Sequence, residues 1–226
     1  MPTTYIDLSQ RVAHGTVTTP GQPAATIDHW RTHADTAALY ADGTSFAFSH
    51  LNIIGGTGTY MDAPAHRFDG GADITSYDLD RLVDVPGLVI DLPHGSLGAN
   101  AVAGLDLAGV AVLVRTGASA RFGSPEYVVN APIIGADAGA ALAAAGPAWV
   151  GIDGPNVDGT RTGERPVHTA LLEAGIPIVE HLGSLDALPA RGFTVTAIPL
   201  NFAGLATSPV RPVASVRTTG TAPVDS

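Results

Sequence analysis

The chain has 226 residues, 45% of them hydrophobic and 14% charged, a composition that suits one compact domain. It contains no Cys and no Lys, which excludes disulfides, thiolate nucleophiles, Schiff bases and lysine-bound pyridoxal phosphate, and leaves any metal to His, Asp or Glu. A formal net charge of −10 argues against nucleic acid and anionic membranes as partners.

The N-terminal MPTTYIDLSQ has neither a basic n-region nor an apolar h-region, and no apolar run reaches the roughly 18 residues that cross a bilayer. A cytoplasmic protein is the expectation. Residues 10–45 are polar, rich in Thr, Pro and His, and without periodicity, so a loop or arm is predicted. If residues 50–62 are extended, His50, Gly56, Tyr60 and Asp62 share one face by the period of two. Gly55-Gly-Thr-Gly58 lacks the Lys and the helix-opening Ser or Thr of a P-loop, and no nucleotide site is predicted there. Pro64 disfavours helix at Ala63, so Asp62-Ala-Pro-Ala-His66 reads as a tight turn closing a strand. Its Asp and His form either an acid/base pair or a turn cap beside a histidine satisfied by a carbonyl.

From residue 85 onward, short apolar runs alternate with helical stretches. Leu88–Leu92, Ala111–Arg115, Ala148–Asp153 and Ile176–Glu180 predict buried strands, being short, β-branched and bounded by Gly or Pro. Asp137–Ala145, followed by Gly146-Pro147, predicts a helix with its stop, and His168–Ala174 before Gly175 a shorter one. Strand and helix in alternation predict an α/β core. Thr194–Leu200 and Ser208–Val216 add late strands, the latter broken by Pro209 and Pro212 and therefore expected at an edge. The domain is expected to span 1–217, with the arm at about 10–45 and a disordered tail over 218–226.

Two further clusters can carry chemistry. Gly151-Ile-Asp153-Gly-Pro-Asn-Val-Asp158 is a strand running into a turn with two carboxylates, and His168 follows ten residues later. Ile178-Val-Glu180-His181 puts a carboxylate at the end of an apolar strand, where it needs a cation, a proton or a donor. His14, His29, His33 and His94 lie in polar or turn segments and read as solvated.

Together these clusters resemble the putative cyclase family, which includes bacterial kynurenine formamidases, isatin hydrolases and cyclases of antibiotic pathways. Its motif HxGTHxDxPxH aligns with Gly56-Thr-Gly-Thr-Tyr-Met-Asp-Ala-Pro-Ala-His66, Gly58 and Thr59 supplying the GT. Ile6-Asp-Leu-Ser9, Pro20-Gly21, Arg115-Thr-Gly117, Gly151-Ile-Asp153, Asp158, His168, Glu180 and Pro209-Val-Arg211 follow in the family's order. The resemblance implies an α/β fold with a central barrel-like mixed β-sheet and flanking helices, of swivelling β/β/α type, assembled as a homodimer or homotetramer.

The departures bear on mechanism. Metal-dependent members ligate their ion through both His of HxGTH, and those positions are Gly56 and Tyr60 here. His50 lies six residues before Gly56 and is a poor substitute. Asp62 matches a ligand, His168 and Glu180 match ligands of the two-zinc formamidases, and His66 matches the general acid/base. The expectation is therefore a cyclase without cofactor or metal, closing a ring or dehydrating a small polyketide-like natural-product intermediate. In it His66 moves the proton, Asp62 orients it, Tyr60 stabilises the oxyanion, and Glu180 with His168 forms a second acid/base pair. Trp30, Phe68 and Asp153 are the substrate-binding candidates. One alternative is a hydrolase of an arylformamide or cyclic amide using one Zn or Mn on Asp62, His168 and Glu180. Another is a non-catalytic binder of a small aromatic ligand.

Overall fold

A computed structural model describes residues 2–217; the tail predicted over 218–226 lies outside the described residues. The strands in chain order are β1 (Thr3–Asp7), β2 (Thr26–Arg31), β3 (Phe48–Asn52), β4 (Tyr60–Asp62), β5 (Val85–Asp91), β6 (Ser96–Leu97), β7 (Ala111–Arg115), β8 (Ile133–Ile134), β9 (Trp149–Ile152), β10 (Ile178–Glu180), β11 (Phe193–Thr196), β12 (Thr207–Pro209) and β13 (Val213–Arg217). Three α-helices accompany them: α1 (His33–Ala37), α2 (Ala136–Ala145) and α3 (Pro166–Glu173). Nine strands form one mixed sheet in the order β1-β13-β11-β5-β7-β9-β10-β4-β12, curled into a half-barrel.

The centre of the sheet is parallel, β5 to β7 to β9 to β10, and its strands are covered on both faces. That is why they read as continuous apolar runs rather than alternating ones. The alternation is in where they point. Ala111, Leu113, Trp149 and Val179 enter one core with Met61, Val85 and Phe193. Val112, Val114, Val150, Ile152 and Ile178 enter another with Leu142 of α2 and Val167 and Leu171 of α3. Helix α2 ends at Gly146, which takes the left-handed backbone that glycine adopts freely. Helix α3 opens on Pro166, whose missing N–H costs nothing in the first turn.

The structure corrects several expectations. Part of the arm is ordered: β2 pairs antiparallel with β3 as a separate ribbon, and α1 begins with a capping box between Thr32 and Asp35. Residues 50–62 are not one strand, because β3 stops at Asn52 and a turn through Gly58, at φ 68°, precedes β4. The run 208–216 is two strands, and only β12 lies at the edge of the sheet, while β13 sits between β1 and β11. Thr194–Leu200 is strand only as far as Thr196. Among the described residues no helix is long and apolar enough to cross a membrane.

Candidate active site

Strands β4 and β10 run antiparallel with Tyr60 opposite Glu180 and Asp62 opposite Ile178. Because strand side chains alternate, Tyr60, Asp62 and Glu180 share with Ile178 the face that α3 covers, while Met61 and Val179 fill the opposite core. His168, in the first turn of α3, reaches down onto this face. His66 arrives from a 3-10 turn, Pro64–His66, which Ala63 enters in extended conformation. Gly71 lies against the backbone of that turn, and a Cβ there would stand 2.7 Å from the Pro64 carbonyl carbon. Gly71→Ala should therefore displace His66 and lower turnover by about 10²-fold, the usual cost of a ~1 Å misplacement. Steady-state kinetics beside a melting curve would check this; unchanged turnover in a folded variant would refute it.

Asp62 is fully buried, and neither of its carboxylate oxygens has a hydrogen-bond partner. Oδ2 faces His168 Nε2 at 3.6 Å and Oδ1 faces His66 Nδ1 at 3.9 Å, both beyond hydrogen-bonding reach. His168 Nε2 is also 3.7 Å from Glu180 Oε1. The other histidine nitrogen, Nδ1, bonds Asp158 Oδ2 at 2.7 Å, and Asp158 further accepts the N–H groups of Val167 and His168. Glu180 Oε1 accepts Val157 N–H at 2.7 Å, and Oε2 accepts the Tyr60 hydroxyl at 2.5 Å. The rings of His66 and His168 lie 5.8 Å apart. Of the two histidines, His66 opens to solvent, its side chain 42% exposed against 5% for His168.

Three carboxylates thus enclose one imidazole. Burial works against charge on His168, but Asp158, then Asp62 and Glu180, outweigh it and raise the group to about 10. Burial raises Glu180 to about 7, with His168 pulling it back and Asp62 adding to the rise. Burial, then the charges of Glu180 and Asp62, lift the Tyr60 phenol well above its ordinary value. A field that holds a proton this strongly on His168 favours a cation in the same place.

The donor set fits a divalent cation. Ligand atoms of Asp62, His66 and His168 all lie within 4.8 Å of one another, and Glu180 Oε1 stands 3.7 Å from His168 Nε2. The separations of 3.6 and 3.7 Å about His168 Nε2 are close to the edge of a tetrahedron of ligands; with bonds of about 2.1 Å that edge is about 3.4 Å. Asp62 and Glu180 with a neutral His168 would balance a charge of about two, whereas Asp62 with two histidines would leave one buried positive charge uncompensated. That favours Glu180 over the exposed His66 as the third ligand.

Not every predicted residue gathers here. The Asp153 carboxylate accepts the Thr116 N–H, the Thr116 hydroxyl and the Gly117 N–H, at 2.6 to 2.9 Å, and fixes the turn after β7. Trp30 stands on the β2–β3 ribbon, 67% exposed and edge-on to Phe48, away from the buried cluster. Phe68 lies two residues beyond His66, partly buried against the core beneath the helices. His14, His29, His33 and His94 are exposed. Gly55-Gly-Thr-Gly58 is a close-packed turn, where Gly58 N–H donates to Thr18 and a Cβ on Gly55 would collide with Thr207.

Two contributors were not among the candidate site residues. Asp158, which holds His168, shows in the sequence as a strand-end carboxylate in the family's order, but without a role. Tyr127, bonded through its hydroxyl to His181 Nδ1 at 2.8 Å in the layer behind Tyr60, had no sequence signal.

Residues 6–159 match the family described as Putative cyclase. A kynurenine formamidase of Salinibacter ruber is 33% identical over 213 residues, covering 92% of this chain and 95% of that protein. Another kynurenine formamidase, from Geobacillus thermodenitrificans, is 30% identical over 211 residues, with 92% and 95% covered. Among solved structures, an isatin hydrolase bound to the product analogue thioisatinate matches in fold with a TM-score of 0.80 at 23% identity, over 96% of this chain and 93% of the other.

Proposed function

The chain belongs to the putative cyclase family, and from that premise we propose that it hydrolyses a small acylated aromatic amine or cyclic amide, an arylformamide first of all, with one divalent cation on Asp62, His168 and Glu180. The observation that carries this reading is Asp62, a fully buried carboxylate without a hydrogen-bond partner that faces His168 at 3.6 Å. A buried carboxylate whose oxygens accept no hydrogen bond is only partly compensated by an imidazole at 3.6 Å, and a bound cation would remove the remaining cost. The formamidase relatives support the substrate class.

When bound, a Zn or Mn ion supplies a water whose pKa falls to about 7 and polarises a carbonyl. The chain's own residues do the rest. Asp158 fixes the His168 ring through Nδ1, so that Nε2 points at Asp62 and Glu180. Loading the site requires the proton on Nε2 to leave. His66, beside Asp62 and open to solvent, delivers a proton to the departing nitrogen. Ile178 and Val157, both fully buried, help to keep bulk water from Glu180. The exposed apolar side chains of the ribbon, Trp30, Phe48 and Leu51, support a homo-oligomer as part of this reading.

Ring closure without a metal on a polyketide-like intermediate has weaker support. It asks Tyr60 to donate to a substrate oxyanion, and the Tyr60 hydroxyl donates to Glu180 instead. Metal removal separates the two. Protein stripped with chelator should lose arylformamide hydrolysis by about 10³-fold or more and recover it with Zn or Mn, elemental analysis giving one ion per chain. Full hydrolysis by the stripped protein would overturn the metal-dependent reading, and no hydrolysis by the zinc-loaded protein would overturn the hydrolase reading.

A further inference from the structure

We propose that Tyr60 is a positioning residue for the cation site, holding Glu180 so that a single oxygen, Oε1, faces the ion. The inference rests on the metal-dependent reading above. Its basis is that the two oxygens of Glu180 are not equivalent. Oε2 is taken by the Tyr60 hydroxyl at 2.5 Å, whereas Oε1 accepts Val157 N–H at 2.7 Å and lies 3.7 Å from His168 Nε2. With Oε2 engaged by a phenol, Glu180 would offer a bound cation Oε1 alone.

The fold makes this arrangement rigid from several sides. Tyr60 and Glu180 are direct partners across β4 and β10, so the phenol and the carboxylate meet without either chain bending. The Tyr60 ring packs over Gly56, where a Cβ would already stand 3.5 Å from Cε1, so a larger side chain at Gly56 would press on the ring. On the far side the His181 ring lies 5.4 Å away, itself tied to Tyr127. Residue 181 sits in the left-handed backbone region at φ 59°, a conformation that costs a non-glycine residue of order 1 kcal/mol and places its ring in this layer. Gly56 and His181 thus both lie against the Tyr60 ring, in contact with the phenol that holds Glu180.

Calorimetric titration of zinc into the chelator-stripped full chain, parent against Tyr60→Phe, tests this. The phenyl ring keeps the packing and removes only the hydroxyl. Zinc affinity should weaken by about 10- to 100-fold, as for other residues that orient a ligand, while the parent binds one ion per chain. The melting temperature of the stripped variant should stay within a few degrees of the parent's. Cobalt loading gives a second readout: the visible bands of the variant should weaken as Glu180 becomes free to ligate through both oxygens. Unchanged zinc affinity with unchanged cobalt bands would overturn the proposal, as would a parent that binds two ions. A parent that takes up no zinc at all would instead remove the metal-dependent reading, so the two failures are distinguishable.

Discussion

Asp62→Asn is expected to give a folded protein that has lost about 10³-fold or more in kcat. Metal-assisted polarisation of a carbonyl is worth several kcal/mol of the barrier; about 4 kcal/mol at about 1.36 kcal/mol per tenfold is a factor near 10³. The stability effect has the opposite sign from that of an ordinary core substitution. Asp62 is fully buried and accepts no hydrogen bond, so in stripped protein its charge is offset only through His168, at 3.6 Å. Neutralising it relieves a desolvation cost, while His168 keeps Asp158 as its partner at 2.7 Å. The stripped variant should melt no lower than the stripped parent. Adding zinc at about 100 times its dissociation constant should stabilise the parent by about 2.7 kcal/mol, or about 5–10 °C for a chain of this size, and should not move the variant. Thermal melts of both proteins with chelator and with zinc, run beside kinetics, check every part of this. A variant that keeps the parent's zinc shift would remove Asp62 from the ligand set.

Such a trade between stability and function is the physical reason the site is only partly legible in the sequence. Asp62 and Glu180 end short strands, His66 closes the turn after one and His168 stands in the first turn of a helix; each alone admits a capping or turn role, and the family motif is what draws them together. Their geometry depends on pairings that no local pattern encodes. Tyr60 meets Glu180 because β4 joins β10 from 120 residues away, and that register gives Glu180 a phenol donor on Oε2 while Oε1 faces His168 at 3.7 Å. Asp153 shows the converse. It looks like a strand-end functional carboxylate, yet the Thr116-Gly117 turn satisfies both its oxygens.

The fold divides in the same way. Ala111–Arg115 is read to the residue, and α2 to within one, because burial on both faces leaves a continuous apolar signal and Gly146 marks a stop. The β2–β3 ribbon went unread because it is exposed on both sides, so nothing selects alternating residues. The two prolines between residues 208 and 216 mark a break correctly, but not that the chain then crosses from one edge of the sheet to pair between β1 and β11.

His66→Gln is expected to separate chemistry from binding. Its side chain is 42% exposed, and its nearest charged neighbour, Asp62 Oδ1, is 3.9 Å away, so no buried partner is orphaned by the change. Stability should stay within about 0.5 kcal/mol of the parent, as for most surface substitutions. Zinc stoichiometry should stay at one per chain, because the charge balance at the site comes from Asp62 and Glu180. Turnover should nevertheless fall by about 10²- to 10⁴-fold, the range for losing a positioned general acid. The loss should appear in kcat with KM little changed, since a proton given to the departing nitrogen is felt in the transition state and not in the bound substrate. A substrate whose leaving amine is already electron-poor needs that proton less, so its turnover should fall less in the variant. An equal loss for good and poor leaving groups would mean that His66 acts earlier, on the attacking water. No loss at all would return His66 to the role of a solvated turn residue.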